Sequence, residues 1–268
     1  MQTDSIRVDG NYRVFHFNKP AMRNASLVFV LHGSGGSASN MMKAAARLQA
    51  KAQDENIILV YPEGYKHFWN ECRKEAMTVA NKENIDENTF FGSMIMYFKK
   101  NYRVDREKIF GIGFSGGGHM MYKFGLTMPD EFKAVAAVVA SLPSEDNLDC
   151  AQLKKPIAIM IANGTADKTN PYSGGEMRSG KLAMGKVRST DETFNYWATL
   201  AGHSGQPVKT ELPNSNHDNI TIEKYSFESP AKPDVTLLKV INGKHELPTD
   251  IDVFLESWEF FKRQMSKK

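Results

Sequence analysis

The sequence predicts an α/β fold, a mostly parallel central sheet with helices on both faces. Two observations predict it. Apolar runs of strand length alternate with helix-period stretches nearly to the end of the chain. Those runs are also apolar throughout rather than at alternate positions, which is the pattern of strands buried on both faces. At 268 residues and 41% hydrophobic content the chain suits one domain over residues 1–268 with a sizeable core.

Residues 26–31 (SLVFVL) and 57–61 (IILVY) read as buried strands, rich in β-branched and aromatic side chains. Between them Met41, Met42, Ala45, Leu48 and Ala52 recur at helical spacing, with Asn40 as the expected cap. A helix is predicted from about residue 88 to 102, then a strand at 108–113, a helix from Gly116, and strands at 134–140 and 157–161. Ser189 and Glu192 have capping-box spacing and open a helix through Phe194, Trp197 and Leu200. Residues 235–241 read as the last strand, and 250–264 as a closing amphipathic helix capped by Thr249. Two segments break the rhythm, residues 65–87 and 171–188. Both follow the carboxyl end of a predicted strand, where ligand-contacting loops of open α/β sheets gather.

Lys and Arg number 34 against 31 Asp and Glu, a net charge of +3 too small and too evenly spread for a nucleic-acid partner. The runs Lys99-Lys100 and Lys267-Lys268 read as solvated surface. No stretch approaches the roughly 20 apolar residues of a membrane span, so no membrane partner is expected. The polar start, Met1 to Asp4, carries no leader pattern, as expected of a cytoplasmic protein or of the mature form of an exported one. Cys72 and Cys150 lack zinc-site spacing, which leaves two buried thiols or one disulfide.

Gly113-Phe114-Ser115-Gly116-Gly117 is a G-x-S-x-G turn between the strand IFGIGF and a glycine-rich helix start. That context marks Ser115 as a nucleophile on a sharp strand-to-helix turn, with Gly113 and Gly117 needed because the turn leaves no room for side chains. A serine hydroxyl needs a base to take its proton and a carboxylate to orient that base. The chain order Ser, acid, His of the α/β-hydrolase fold points to Asp167, directly after the apolar strand IAIMI, and to His245, between the last strand and last helix. His203 and His217 lie in polar stretches and read as exposed loop histidines. Backbone N–H groups must meet the charge that develops on the substrate oxygen. The turn His32-Gly33-Ser34-Gly35-Gly36-Ser37 supplies one at Ser34, with Gly35 close behind, and Gly116 supplies the other. The same turn lacks the Gly-Lys-Ser/Thr ending of a phosphate loop.

With these residues in place the chain resembles the esterase family of polyhydroxybutyrate depolymerases and feruloyl or acetylxylan esterases. The resemblance runs through the 31–36 turn, the pair Trp69-Asn70, residues 86–91, Val104-Asp105, the elbow at 113–118, the acid loop Gly164 to Asp167, the 171–175 segment and the histidine loop 243–248. It implies hydrolysis of carboxylic esters through an acyl-enzyme without a metal or organic cofactor, often by exported enzymes. Feruloyl and related plant-wall carbohydrate esters lead as substrates, with polyhydroxybutyrate and acetylated xylan as alternatives. It also implies a disulfide between Cys72 and Cys150, and it makes Trp69 the candidate substrate contact, a flat aromatic able to stack on a sugar or phenolic ring. Relatives often carry Trp where this chain has Leu247. A prolyl-oligopeptidase-like peptidase shares the elbow but usually carries a large extra domain, and a non-catalytic binding module usually loses a member of the Ser-Asp-His set.

Overall fold

The computed structural model describes residues 1–267. A hairpin of β1 (Gln2–Val8) and β2 (Asn11–Phe17) opens the chain, followed by β3 (Ser26–Leu31), α1 (Ala38–Ala44), α2 (Ala46–Lys51) and β4 (Ile57–Pro62). Then come α3 (Val79–Lys82), α4 (Glu87–Tyr102), β5 (Ile109–Phe114), α5 (Gly116–Thr127), β6 (Ala134–Val138) and β7 (Ala158–Gly164). A separate hairpin, β8 (Gly175–Ser179) and β9 (Leu182–Val187), precedes α6 (Thr190–Leu200). The chain finishes with β10 (Val208–Glu211), β11 (Thr221–Phe227), β12 (Val235–Ile241) and α7 (Val253–Met265).

Ten strands form one sheet in the order β1-β2-β4-β3-β5-β6-β7-β12-β11-β10. The six from β4 to β12 are parallel, and antiparallel pairs extend both edges. This is the predicted class, with an α/β-hydrolase topology. β4 lies on one side of β3 and β5 on the other, so the winding reverses between β3 and β5. Their carboxyl ends border the crevice where such sheets bind ligands.

Alternate residues of β3 feed two cores. Leu27, Phe29 and Leu31 pack with Phe91 and Phe98 of α4 and Phe124 of α5; Val28 and Val30 pack with Met41, Leu48 and the α7 aromatics Phe254, Trp258 and Phe261. Burial on both faces is why these strands carry no alternation.

The predicted first helix is divided by a local break at Ala45 (φ −89°, ψ 19°) and is capped by Ser37 instead of Asn40. Of its stripe, Met41, Ala45, Leu48 and Ala52 are buried as expected, and Met42 is half-buried. The closing helix starts at Val253, capped by Asp252, whose Oδ1 accepts the N–H groups of Phe254 and Leu255. Thr249 stays in the preceding loop. The Ser189–Glu192 capping box is present. Within the two segments expected to be irregular lie α3 and the β8–β9 hairpin. Cys72 and Cys150 form a disulfide, tying the loop after β4 to the segment before β7. Lys267 is ion-paired with buried Asp234 rather than solvated; Lys268 lies outside the described residues. Among the described residues no helix is long and apolar enough to cross a membrane.

Candidate active site

Ser115 follows β5 and precedes α5 with φ 52° and ψ −114°, a backbone state costly for a residue with a Cβ. Two bonds hold it there. Its N–H donates to the Val138 carbonyl (2.9 Å), and its carbonyl accepts the His119 N–H (2.9 Å). A Cβ on Gly113 would lie 2.0 Å from the Gly117 carbonyl oxygen, and one on Gly117 2.6 Å from that of Leu31. Both glycines are therefore steric requirements of the turn, as the motif predicts.

Asp167 sits in the turn after β7 with its carboxylate buried. Oδ1 accepts the backbone N–H groups of Thr169 (2.7 Å) and Asn170 (2.8 Å), leaving Oδ2 for His245 Nδ1 at 2.7 Å. His245 Nε2 lies 2.9 Å from Ser115 Oγ. A carboxylate only accepts, so Nδ1 carries the imidazole proton and Nε2 is free to accept from the serine hydroxyl. The histidine loop is zipped to the acid loop by Thr165 N–H to Val240 O (2.9 Å), Ala166 N–H to Gly243 O (2.9 Å) and Asn242 N–H to Thr165 Oγ1 (2.8 Å). The three side chains singled out, of which Ser115 and His245 stand 130 positions apart, thus meet in one hydrogen-bonded row. His217 is exposed. His203 is half-buried instead, bonded to the Pro233 carbonyl at the amino end of β12.

The 32–37 turn crosses over the nucleophile: a Cβ on Gly33 would lie 3.2 Å from Ser115 Cβ, and one on Gly116 2.9 Å from the Ser34 nitrogen. The Gly33 carbonyl is held by Gly36 N–H (2.9 Å) and His32 Nδ1 (2.8 Å). Because the N–H of a trans peptide points opposite to its carbonyl, this anchoring directs the Ser34 N–H the other way. Gly116 N–H begins a helix and has no intrahelical acceptor. Neither amide has an acceptor among the described residues. Gly35, expected close behind Ser34, has its N–H committed to the His67 carbonyl.

His32 itself is a residue that the motif named without a role. Its Nδ1–H donates to Gly33 O while Nε2 accepts the Gly64 N–H (2.9 Å), which fixes the neutral tautomer. Burial pushes its pKa below the ordinary value against the opposing pull of the Gly33 carbonyl and Glu63. The only local signal was its place before the glycines, because its partner Gly64 lies in the loop after β4.

Trp69, expected to contact substrate, is 1% exposed. Its Nε1 donates to the His32 carbonyl (2.8 Å) and its ring packs on His32 and Phe91. It anchors the loop from beneath and offers no face to a ligand. Leu247 is half-buried against the core on the α7 side. Among the described residues no group of three or more His, Cys, Asp or Glu side chains could hold a metal ion.

A sequence profile described as phospholipase/carboxylesterase matches residues 14–197. The protein NocK of Nocardia uniformis subsp. tsuyamanensis, whose esterase assignment is itself provisional, is 32% identical over 83% of this chain. Feruloyl esterase C of Emericella nidulans is 29% identical over 71% of the chain. The chain spans 65% of the length of each of these relatives. An acetyl xylan esterase from Aspergillus awamori superposes with a TM-score of 0.66 over 98% of this chain and 99% of that one, at 14% identity, a likeness of fold.

Proposed function

The chain belongs to the phospholipase/carboxylesterase family of α/β-hydrolases, and from that premise we propose that it is a serine carboxylesterase whose nucleophile, orienting acid and base are Ser115, Asp167 and His245. The observation that carries this reading is the row Asp167 Oδ2 to His245 Nδ1 (2.7 Å) and His245 Nε2 to Ser115 Oγ (2.9 Å).

Ser115 Oγ attacks the ester carbonyl while His245 Nε2 takes its proton. The carbonyl oxygen becomes an oxyanion beside the Ser34 and Gly116 N–H groups, which are aligned before the reaction and cost no reorganisation during it. The imidazolium, steadied by Asp167, gives its proton to the leaving alcohol. Water then attacks the acyl-enzyme through the same base and the acid departs. No step calls for a cofactor.

Feruloyl and related plant-wall carbohydrate esters are the proposed substrates, supported by the relatives named feruloyl esterase C and acetylxylan esterase; polyhydroxybutyrate is the alternative from the motif resemblance. Export from the cytoplasm is proposed on the Cys72–Cys150 disulfide, since such bonds persist in oxidising compartments. Residues 1–268 are taken as one catalytic domain. The test is Ser115→Ala: it should retain the fold and lose p-nitrophenyl acetate turnover by about 10⁶-fold, and retained turnover would sink the assignment. Comparing methyl ferulate, acetylated xylan and polyhydroxybutyrate on the wild type ranks the substrates.

A further inference from the structure

Residues 63–67 grip the 32–37 turn from outside at several points. Gly64 N–H meets His32 Nε2, and Glu63 Oε1 accepts the Ala38 N–H (3.1 Å). His67 makes the outermost pair of contacts: its carbonyl accepts the Gly35 N–H (2.8 Å) and its Nδ1 lies 3.0 Å from the Gly36 carbonyl oxygen. A carbonyl only accepts, so this Nδ1 carries a proton and donates.

His67 reaches that position from an unfavourable turn. Tyr65 and Phe68 form an antiparallel bridge closed by Phe68 N–H to Tyr65 O (2.9 Å), and the two residues between them, Lys66 and His67, have φ 48° and 71°. This is the pattern of a two-residue type I′ turn, which favours Asn-Gly because both positions are left-handed. On the far side Tyr65 Oη and Lys66 Nζ bond Glu83 (2.7 and 2.8 Å), steadying the base of the turn. The ring of His67 is exposed, so core packing does not account for it.

We propose that His67 is a positioning residue for ester hydrolysis. By holding Gly35 through its backbone and Gly36 through its ring, it fixes the turn whose Gly33–Ser34 peptide aims an N–H at the developing oxyanion. The inference rests on the reading of Ser34 as oxyanion donor. A loosened turn lets that N–H wander, and such a loss appears in the transition state rather than in ground-state binding.

The experiment compares His67→Ala, His67→Asn and the pair Lys66→Asn/His67→Gly with the wild type and Ser115→Ala on p-nitrophenyl acetate. It also measures inhibition by a trifluoromethyl ketone, whose adduct with Ser115 carries an oxyanion, and thermal melting. His67→Ala should lower kcat about tenfold with KM within about twofold, and weaken the ketone in parallel. His67→Asn, whose amide nitrogen can replace Nδ1, should recover most of the loss. The Asn-Gly pair should raise the melting temperature, because it suits the turn, and still lower kcat about tenfold, a split that a merely structural role would not produce. Unchanged kcat in His67→Ala and in the Asn-Gly variant, with Ser115→Ala inactive, overturns the clamp alone. So does loss of kcat that only follows loss of melting temperature. A wild type inactive on the ester, or an active Ser115→Ala, overturns the esterase reading and the clamp with it.

Discussion

If Asp167 orients His245 as proposed, Asp167→Asn should abolish most activity while leaving the fold intact, and the structure says which way the amide must sit. Oδ1 faces two backbone donors, the N–H groups of Thr169 and Asn170 at 2.7 and 2.8 Å, and Oδ2 faces one, His245 Nδ1 at 2.7 Å. An amide with its nitrogen toward the backbone sets donors against donors twice, at about 1–3 kcal/mol for each group left unpaired. Its oxygen therefore takes the Oδ1 position and its nitrogen points at His245. The imidazole can accept there only by moving its proton to Nε2, and Nε2–H then faces Ser115 Oγ and cannot take the hydroxyl proton.

The wrong tautomer of a Ser-His-Asp base costs about 10⁴-fold in kcat, close to 5.4 kcal/mol of transition-state stabilisation. Steady-state p-nitrophenyl acetate hydrolysis measures the loss, thermal melting checks that the isosteric change spares the fold, and imidazole ¹⁵N shifts report the tautomer. A variant keeping more than about 1% of the wild-type kcat with an unchanged melting temperature would refute the reasoning.

Three other perturbations test the surroundings. His119, a helical turn beyond Ser115, is buried with neither ring nitrogen in a well-formed hydrogen bond among the described residues; burial, then the charges of Arg73 and His245, holds its pKa well below 6.5 against a weaker pull from the Ser141 backbone. The unfolded chain binds a proton there that the folded one refuses, so His119 should make the fold lose stability as the pH falls from 7.5 to 5.5. His119→Met should lose that slope in denaturant titrations at the two pH values, and identical slopes would contradict it. The disulfide spans 78 residues, for which chain entropy gives about 4.5 kcal/mol. Replacing Cys72 and Cys150 by Ala should lower the melting temperature by about 8 °C for a chain of this size, and a shift under about 2 °C would remove that role. Trp69→Phe, which deletes the bond to the His32 carbonyl, should cost about 2 kcal/mol of stability with KM unchanged; a raised KM at constant stability would restore Trp69 as a ligand contact.

How far the sequence could be read followed from the range over which each feature is determined. β3 was legible to the residue because a strand buried on both faces is a nearly continuous apolar run with sharp ends, and β12 was equally so although Thr236 and Lys239 interrupt its apolar run. The first hairpin was not, although Asp9-Gly10 is a strong turn signal. Its inward positions on β2 are Arg13, Phe15 and Phe17, and the arginine breaks the alternation that would mark a strand. What permits Arg13 inside is Glu87, at 2.9 Å on the first residue of α4, a partner no local pattern can announce. The candidate site divides in the same way. Ser115, Asp167 and His245 are readable because a strained elbow must be flanked by glycines, and because the strand order fixes which loops can reach it. His32 and His67 act on the turn 32–37 through contacts between separate strands and loops, so residue type alone carries no sign of their roles. An indole in an irregular loop reads alike whether it faces solvent or core; for Trp69 the deciding feature is the His32 carbonyl waiting beneath it. That bond also ties the loop to the turn, so a change at either should be felt at Ser34.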